Sequence, residues 1–266
     1  MSRILVSSLL VVAALYLGIC IALWVFQRAL IYFPQPLSGS ATDLLTLSVD
    51  EARVRVSVRP HDGPQALIYF GGNAEDVSLN MPGLARAFPD HALYLLHYRG
   101  YGGSSGSPSE EALQRDAQAL FDRVWAEHPE ILLVGRSLGS GVAVRLASQR
   151  PASRLILISP YNSLQDIAAA QFPFFPVRWL LRDKFESWKY APRIRVPTLL
   201  ILAEHDRVIP RASSETLLAR FAPGVATLKV VPGADHNSIS QHSEYFQLLH
   251  GSATTGSSIN RKERLP

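Results

Sequence analysis

The sequence predicts an α/β fold: a mostly parallel, doubly wound sheet, interrupted once by a small helical cap and preceded by one apolar helix. Three observations carry this reading. From Ala66 onward, short apolar strands alternate with helical patterns of roughly 10–15 residues, the rhythm of a parallel sheet with crossover helices. Gly135-Arg136-Ser137-Leu138-Gly139 joins an apolar strand to a small-residue helix. Finally, the chain opens with a long run that carries no charge.

That run, Ile4 to Phe26, has twenty-three residues. As a helix it spans roughly 34 Å, slightly more than the hydrocarbon of a bilayer. Arg3 and Arg28 bracket it, and Tyr16, Trp24, Tyr32 and Phe33 include aromatics suited to the interface. A cleaved signal peptide has a shorter apolar core, ending in a small-x-small cleavage site. Here Trp24-Val25-Phe26-Gln27-Arg28 offers no such site, and Ile19 before Cys20 with an apolar run after it argues against a lipoprotein. The expectation is an uncleaved single-pass anchor over residues 1–30, contacting the bilayer through residues 4–26. The expected location is the bacterial inner membrane; one arginine on each flank leaves the orientation open.

One domain is expected over residues 31–250. Val54 to Arg59 alternates with period two and pairs with Thr46 to Val49 across an Asp50-Glu51-Ala52 turn. Further strands are read at Ala66–Phe70, Leu93–His97, Ile131–Val134, Leu155–Ile158, Thr198–Ala203 and Thr227–Val231. Helices are read at Ala74–Ala87, Glu110–Glu127, Leu138–Gln149, Arg211–Phe221 and Ser238–His250. Residues 160–195 are too long for a simple crossover and rich in Pro and aromatics, which marks a cap insertion over the sheet's carboxyl edge. The Ser/Thr/Gly-rich tail, residues 251–266, is expected to be disordered.

The net charge of +4 does not point to nucleic acid, because no recognition motif or basic run interleaved with aromatics along a groove accompanies it. Charge concentrates only between Arg178 and Arg195, whose local +4 equals that of the whole chain. Phe172, Phe174, Phe175, Trp179, Phe185 and Trp188 lie in or beside that segment. It reads either as a solvated helix face or as a surface resting on anionic headgroups. Cys20 is the sole cysteine, which excludes disulfides and thiolate metal sites; no metal and no organic cofactor is expected.

Chemistry concentrates at Ser137. The apolar run Ile131 to Val134 leads into it, and the glycines two residues either side remove the Cβ atoms that would block a sharp strand-to-helix turn. A serine hydroxyl needs a base to take its proton, and the base needs an orienting acid. On such an elbow the acid and then the histidine follow in chain order, each on a loop after a later strand. Asp206 follows the strand ending at Ala203, and His236 follows the strand ending at Val231. Asp166 is the alternative acid, and His242 and His250 fit worse as the base because they lie in the last helical segment. Glu204, His205 and Asp235 read as bystanders. An oxyanion requires preorganised N–H donors. The Leu138 amide, at a helix N-terminus, is one; the loop Gly71-Gly72-Asn73 should supply the other, from Asn73 first and Gly72 next.

With these residues assembled, the chain resembles the Bem46-like group of the α/β-hydrolase superfamily, which includes bacterial anchored hydrolases, eukaryotic lipid hydrolases and protein depalmitoylases. The matching motifs are Ile31-Tyr32-Phe33-Pro34, Tyr69-Phe70-Gly71-Gly72-Asn73-Ala74, Tyr98-Arg99-Gly100-Tyr101-Gly102, the Ser137 elbow, Ser159-Pro160-Tyr161, His205-Asp206 and His236-Asn237. The resemblance implies Ser137 as nucleophile, Asp206 as acid and His236 as base. Phe70 and His97 depart from the group, which often has histidine and aspartate there; both bear on substrate preference. The expected function is a carboxylesterase-like or lysophospholipase-like serine hydrolase, cleaving (thio)esters of a membrane lipid or acylated substrate. The alternatives are a serine peptidase of the same fold and a non-catalytic anchored scaffold.

Overall fold

The computed structural model describes residues 3–39 and 43–254. Its first element, α1, runs from Arg3 to Ile31. Leu is its commonest residue and no proline interrupts it before Pro34, so nothing breaks the helix despite Gly18 and several Val and Ile. The helix is long and apolar enough to cross a bilayer, a property that membrane anchors and signal sequences share.

An eight-stranded sheet follows, ordered β1-β2-β4-β3-β5-β6-β7-β8. The antiparallel pair β1 (Asp43–Val49) and β2 (Ala52–Arg59) forms its edge, with Val49 facing Ala52 across a tight turn. The remaining strands are β3 (Gln65–Phe70), β4 (Ala92–Leu96), β5 (Glu130–Arg136), β6 (Arg154–Ile158), β7 (Thr198–Ala203) and β8 (Ala226–Val231), and all six run parallel. Their side chains alternate between two cores. Ile131 and Leu133 face the layer of α3 (Glu110–Trp125) and α4 (Leu138–Ala147); Leu132 and Val134 face that of α2 (Met81–Ala87) and α8 (Ser243–Thr254). Phe70 pairs with Gly135, Gly135 with Leu157, and Ala203 with Val231, which aligns the strand ends along one carboxyl edge. The strand order reverses between β3 and β5, where open α/β sheets place their ligand crevice.

Three expectations are corrected. The helix read from Ala74 begins only at Met81, after a tight turn over Val77–Asn80. Ala74 is left-handed (φ 55°), and the Asp76 carboxylate accepts the Ser78 amide, so residues 74–76 form a loop. The Arg178–Arg195 segment is not a continuous helix. The cap comprises α5 (Leu164–Gln171), the four-residue α6 (Val177–Leu180) and two short turns, and Phe185 at φ 41° breaks any longer helix. In the tail, Gly251 to Thr254 continue α8, while residues 255–266 lie outside the described residues. The helix α7 (Arg211–Leu218) follows its predicted position closely.

Candidate active site

The elbow is a strained turn. Ser137 sits at φ 49°, ψ −117°, between β5 and α4, a conformation that a non-glycine residue holds only when its surroundings fix it. Its amide donates to the Ile158 carbonyl at 2.8 Å, and Ser140 Oγ donates to its carbonyl at 2.7 Å. A Cβ at Gly135 would lie 2.5 Å from the Gly139 carbonyl oxygen and 2.7 Å from the Ala143 Cβ. At Gly139 a Cβ would collide with the Phe70 and Gly71 carbonyl oxygens. The glycines thus let the first turn of α4 ride on the end of β3.

Asp206 and His236 arrive on the loops after β7 and β8. Asp206 Oδ1 accepts the Val208 and Ile209 amides at 2.9 and 2.8 Å, which locks the carboxylate. Its Oδ2 lies 2.8 Å from His236 Nδ1, and His236 Nε2 lies 3.0 Å from Ser137 Oγ. Burial alone would raise the Asp206 carboxyl, but the His236 bond and the Ile209 amide outweigh it and hold it below the usual carboxylate range. An ionised carboxylate only accepts, so Nδ1 carries the ring proton and Nε2 faces the serine as an acceptor.

The other candidates sit elsewhere. Asp166 lies in α5, 3.3 Å from Arg178 and 3.2 Å from the Asn162 amide nitrogen. Glu204 accepts the Gly233 amide, and Asp235 accepts those of Asn237 and Ser238, so both fold turns. His250 packs its Nδ1 against the Ala87 carbonyl at 3.2 Å.

The donor loop after β3 stands beside the serine. Among the described residues, the amides of Leu138 and Asn73 donate to no acceptor, and both residues line the cavity over Ser137. Gly72 is a correction: its amide already donates to Glu75 Oε2 at 2.7 Å. That carboxylate also accepts Tyr69 Oη and Asn80 Nδ2, both at 2.7 Å, and pairs with Arg136 Nη1 at 3.1 Å. Arg136 Nη2 in turn donates to the His236 carbonyl at 3.1 Å. One half-buried ion pair therefore braces both the donor loop and the histidine loop. Glu75 and Arg136 were not singled out from the sequence. The signal was present, since a charged residue inside the elbow motif and an acid in the adjoining strand-end loop share one sheet edge.

Above Ser137 lies a cavity of about 280 Å³. Leu164, Ile167, Phe172 and Phe175 of the cap form one wall, and Leu23, Gln27, Leu30 and Ile31 of α1 form another. None of its lining residues is charged. The contribution of α1 was not foreseen.

Residues 83–191 and 180–242 match the family described as Hydrolase_4, serine aminopeptidase S33. The chain is 36% identical over 245 residues to the uncharacterized protein Rv2307c of Mycobacterium tuberculosis, covering 85% of this chain and 86% of that one. The protein bem46 of Schizosaccharomyces pombe is 27% identical over 258 residues, with 85% of each chain covered. The chain is a Bem46-like member of the α/β-hydrolase superfamily. Among solved structures, the α/β-hydrolase fold recurs in mouse α/β hydrolase domain-containing protein 10, at a TM-score of 0.62 and 17% identity, covering 84% of this chain and all of that one. This Bem46-like protein is accordingly a hydrolase, with its apolar helix ahead of the α/β-hydrolase domain.

Proposed function

We propose that this Bem46-like protein is a membrane-anchored serine hydrolase that cleaves carboxylic ester or thioester bonds of lipidic or acylated substrates through an acyl-enzyme on Ser137. The observation that carries the reading is the chain of contacts Ser137–His236–Asp206, at 3.0 and 2.8 Å, beneath an uncharged cavity and beside two unengaged amides.

In this reading Ser137 Oγ bonds to the substrate carbonyl carbon as its proton passes to His236 Nε2. The Leu138 and Asn73 amides hold the oxyanion, each such donor being worth roughly 2.7–4 kcal/mol. The bond to the leaving oxygen or sulfur then breaks, and His236 returns the proton to it. Water repeats the sequence: its hydroxyl joins the acyl carbon, its proton passes through His236 back to Ser137 Oγ, and a carboxylic acid departs. Asp206 stays ionised throughout and stabilises the imidazolium.

Retention of α1 is supported by its integration into the fold. Arg28 and Tyr32 Oη reach the buried Asp183 carboxylate at 3.1 and 3.0 Å, and removing α1 would strip the cavity of a wall. An anchor fits this better than a cleaved signal, and the mycobacterial relative is in keeping with a bacterial inner membrane.

The family description favours a second reading, an aminopeptidase. Such an enzyme needs an acid to receive the substrate's terminal ammonium, and the cavity lining has none. The test is labelling of the detergent-solubilised protein with a fluorophosphonate, alongside Ser137→Ala and His236→Ala, followed by paired esters and aminoacyl amides. Labelling lost in both variants and a preference for esters are expected. A folded wild type that does not label would move the scaffold alternative to the front; amides cleaved as fast as esters would favour the peptidase.

A further inference from the structure

The cap does not stand over the sheet alone. It climbs α1. Near the helix base, Gln27 Nε2 donates to the Leu180 carbonyl at 3.1 Å, Gln27 Oε1 accepts the Arg182 amide at 2.6 Å, and Arg28 reaches Asp183. One turn further, the Arg182 guanidinium lies 3.8 Å from the centre of the Trp24 ring. Higher still, Tyr16 stacks on Phe175, ring centres 5.8 Å apart, and donates to the Phe174 carbonyl at 3.0 Å.

These contacts give the cap a depth. Trp24, Arg28 and Arg182 form the aromatic and basic belt expected at a membrane surface. Tyr16 lies eight residues further along the helix, about 12 Å in rise. Half of a bilayer's hydrocarbon is about 15 Å thick. With α1 as the proposed anchor, the loop carrying Phe174 falls within the apolar layer. Its exposure pattern agrees: Phe174 is 84% and Trp179 88% exposed, beside a helix whose outer face is exposed Leu, Val and Ile. The one charge between them, Arg178, is paired with Asp166 at 3.3 Å.

The cavity completes the geometry. It lies between α1 and this cap loop, with Ser137 at its floor; Leu23 of its wall sits at the level of Trp24, and Phe172 belongs both to its wall and to the exposed surface of the cap. Resting on the serine-hydrolase reading, we propose that the substrate is a long-chain acyl ester resident in the bilayer. Its chain passes sideways from the hydrocarbon, between α1 and the Phe174–Trp179 loop, into the cavity, while its headgroup stays at the Trp24–Arg182 level. The membrane is the occupant of the exposed aromatic face, by continuity with the helix on which that face is packed.

The test uses the full chain reconstituted in phosphatidylcholine vesicles, with two readouts. In a Cys20→Ala background, Phe174→Cys carries an environment-sensitive fluorophore. Quenching by lipids brominated in the acyl chain and protection from aqueous iodide are expected; iodide quenching without lipid quenching overturns the proposal. Separately, the pair Phe174→Asp and Trp179→Asp is assayed on a sixteen-carbon acyl ester embedded in the vesicles and on a soluble butyrate ester. Placing carboxylates in hydrocarbon is costly enough to lower vesicle-ester turnover at least about tenfold, with butyrate turnover within about twofold. Equal effects on both substrates, or none on the embedded ester, overturn the proposal. Fluorophosphonate labelling of the same vesicles separates the failures. A protein that takes the fluorophosphonate while iodide quenches the fluorophore on the Phe174→Cys variant loses only the lateral route. An unlabelled, inactive one loses the hydrolase reading and this proposal with it.

Discussion

The two sides of the cavity are built by different means. Its floor is the sheet edge, where strand register, a left-handed serine and short bonds to carboxylates hold each polar atom in place. Its roof and side wall are α1 and the cap, distant in sequence, joined by apolar contact and a few polar ties at Gln27, Arg28 and Tyr16. The floor supports chemistry, which tolerates little displacement. In the proposed reaction the wall selects the acyl chain, and apolar packing tolerates variation there. Perturbing the floor should therefore abolish turnover of every ester, whereas perturbing the wall should separate long esters from short ones.

The largest effect is expected at the floor. Asp206→Asn keeps the shape but places an amide N–H opposite His236 Nδ1, so the ring proton moves to Nε2 and faces Ser137. Turnover of short and long esters should fall together by about 10⁴-fold, with little change in KM. A fall confined to long esters would show that the two sides are not separable in this way.

Next comes the brace. Glu75→Gln leaves the Arg136 guanidinium, 15% exposed, without its counter-charge. A loss of about 3 kcal/mol is expected from removing one member of such a pair, read as a drop in thermal midpoint. A double-mutant cycle with Arg136→Met should show strong coupling, because the second change removes the orphaned charge. Additive losses would show that the pair does not act as a unit.

On the wall, Asp183→Asn removes the charge that Arg28 and Tyr32 share, at an expected cost of about 2 kcal/mol. Reaction with a small fluorophosphonate should persist while turnover of long-chain esters declines. Parallel losses would place α1 among the supports of the floor.

This contrast also explains what was legible in the sequence. Strand positions were readable because Ile131 to Val134 and Leu200 to Ala203 are buried on both faces and so appear as unbroken apolar runs. The places of Ser137, Asp206 and His236 at three strand ends followed from those runs and from turn chemistry. Residues Ala74–Asp76 were misread as helix, because nothing local shows that Glu75 turns inward to Arg136 and Asp76 to the Ser38 and Gly39 amides. The α1 wall was illegible for the same reason: contacts such as Gln27 with Leu180 and Tyr16 with Phe174 join residues more than 150 positions apart.

A pH experiment sharpens the boundary between the sides. The Asp76 carboxylate accepts the Ser38, Gly39 and Ser78 amides and the Ser38 and Ser78 hydroxyls, tying the segment after α1 to the donor loop. Burial opposes ionisation, but the Ser38 amide and the other donors prevail and lower this group to about 2. Its unfolded value is near 3.9. The folded pKa is the lower one, so its stabilisation is fully present above about pH 4 and is lost as the pH falls toward about 2. The difference in thermal midpoint between wild type and Asp76→Asn should shrink across that window. A constant difference would mean that the carboxylate's charge plays no part.

The smallest effect is expected at Tyr101, where the two sides meet. Its hydroxyl accepts the Phe33 amide at 2.8 Å and donates to Asn73 Oδ1 at 3.0 Å, and Asn73 Oδ1 also accepts the Phe33 amide. Asn73 thus offers its backbone N–H to the cavity while its side chain holds the residue that follows α1 and Tyr32. Tyr101→Phe keeps the buried ring, which packs edge-on against Tyr98, and deletes only the hydroxyl. The Phe33 amide retains Asn73 Oδ1 as acceptor, so the stability cost should stay at about 1 kcal/mol. What changes is the freedom of the donor loop. With one of two ties gone, kcat should fall a few-fold on short and long esters alike while KM holds, because a misplaced oxyanion donor acts in the transition state. A rise in KM for long esters alone would instead assign Tyr101 to the wall, and the junction between α1 and the donor loop would then serve chain binding rather than chemistry.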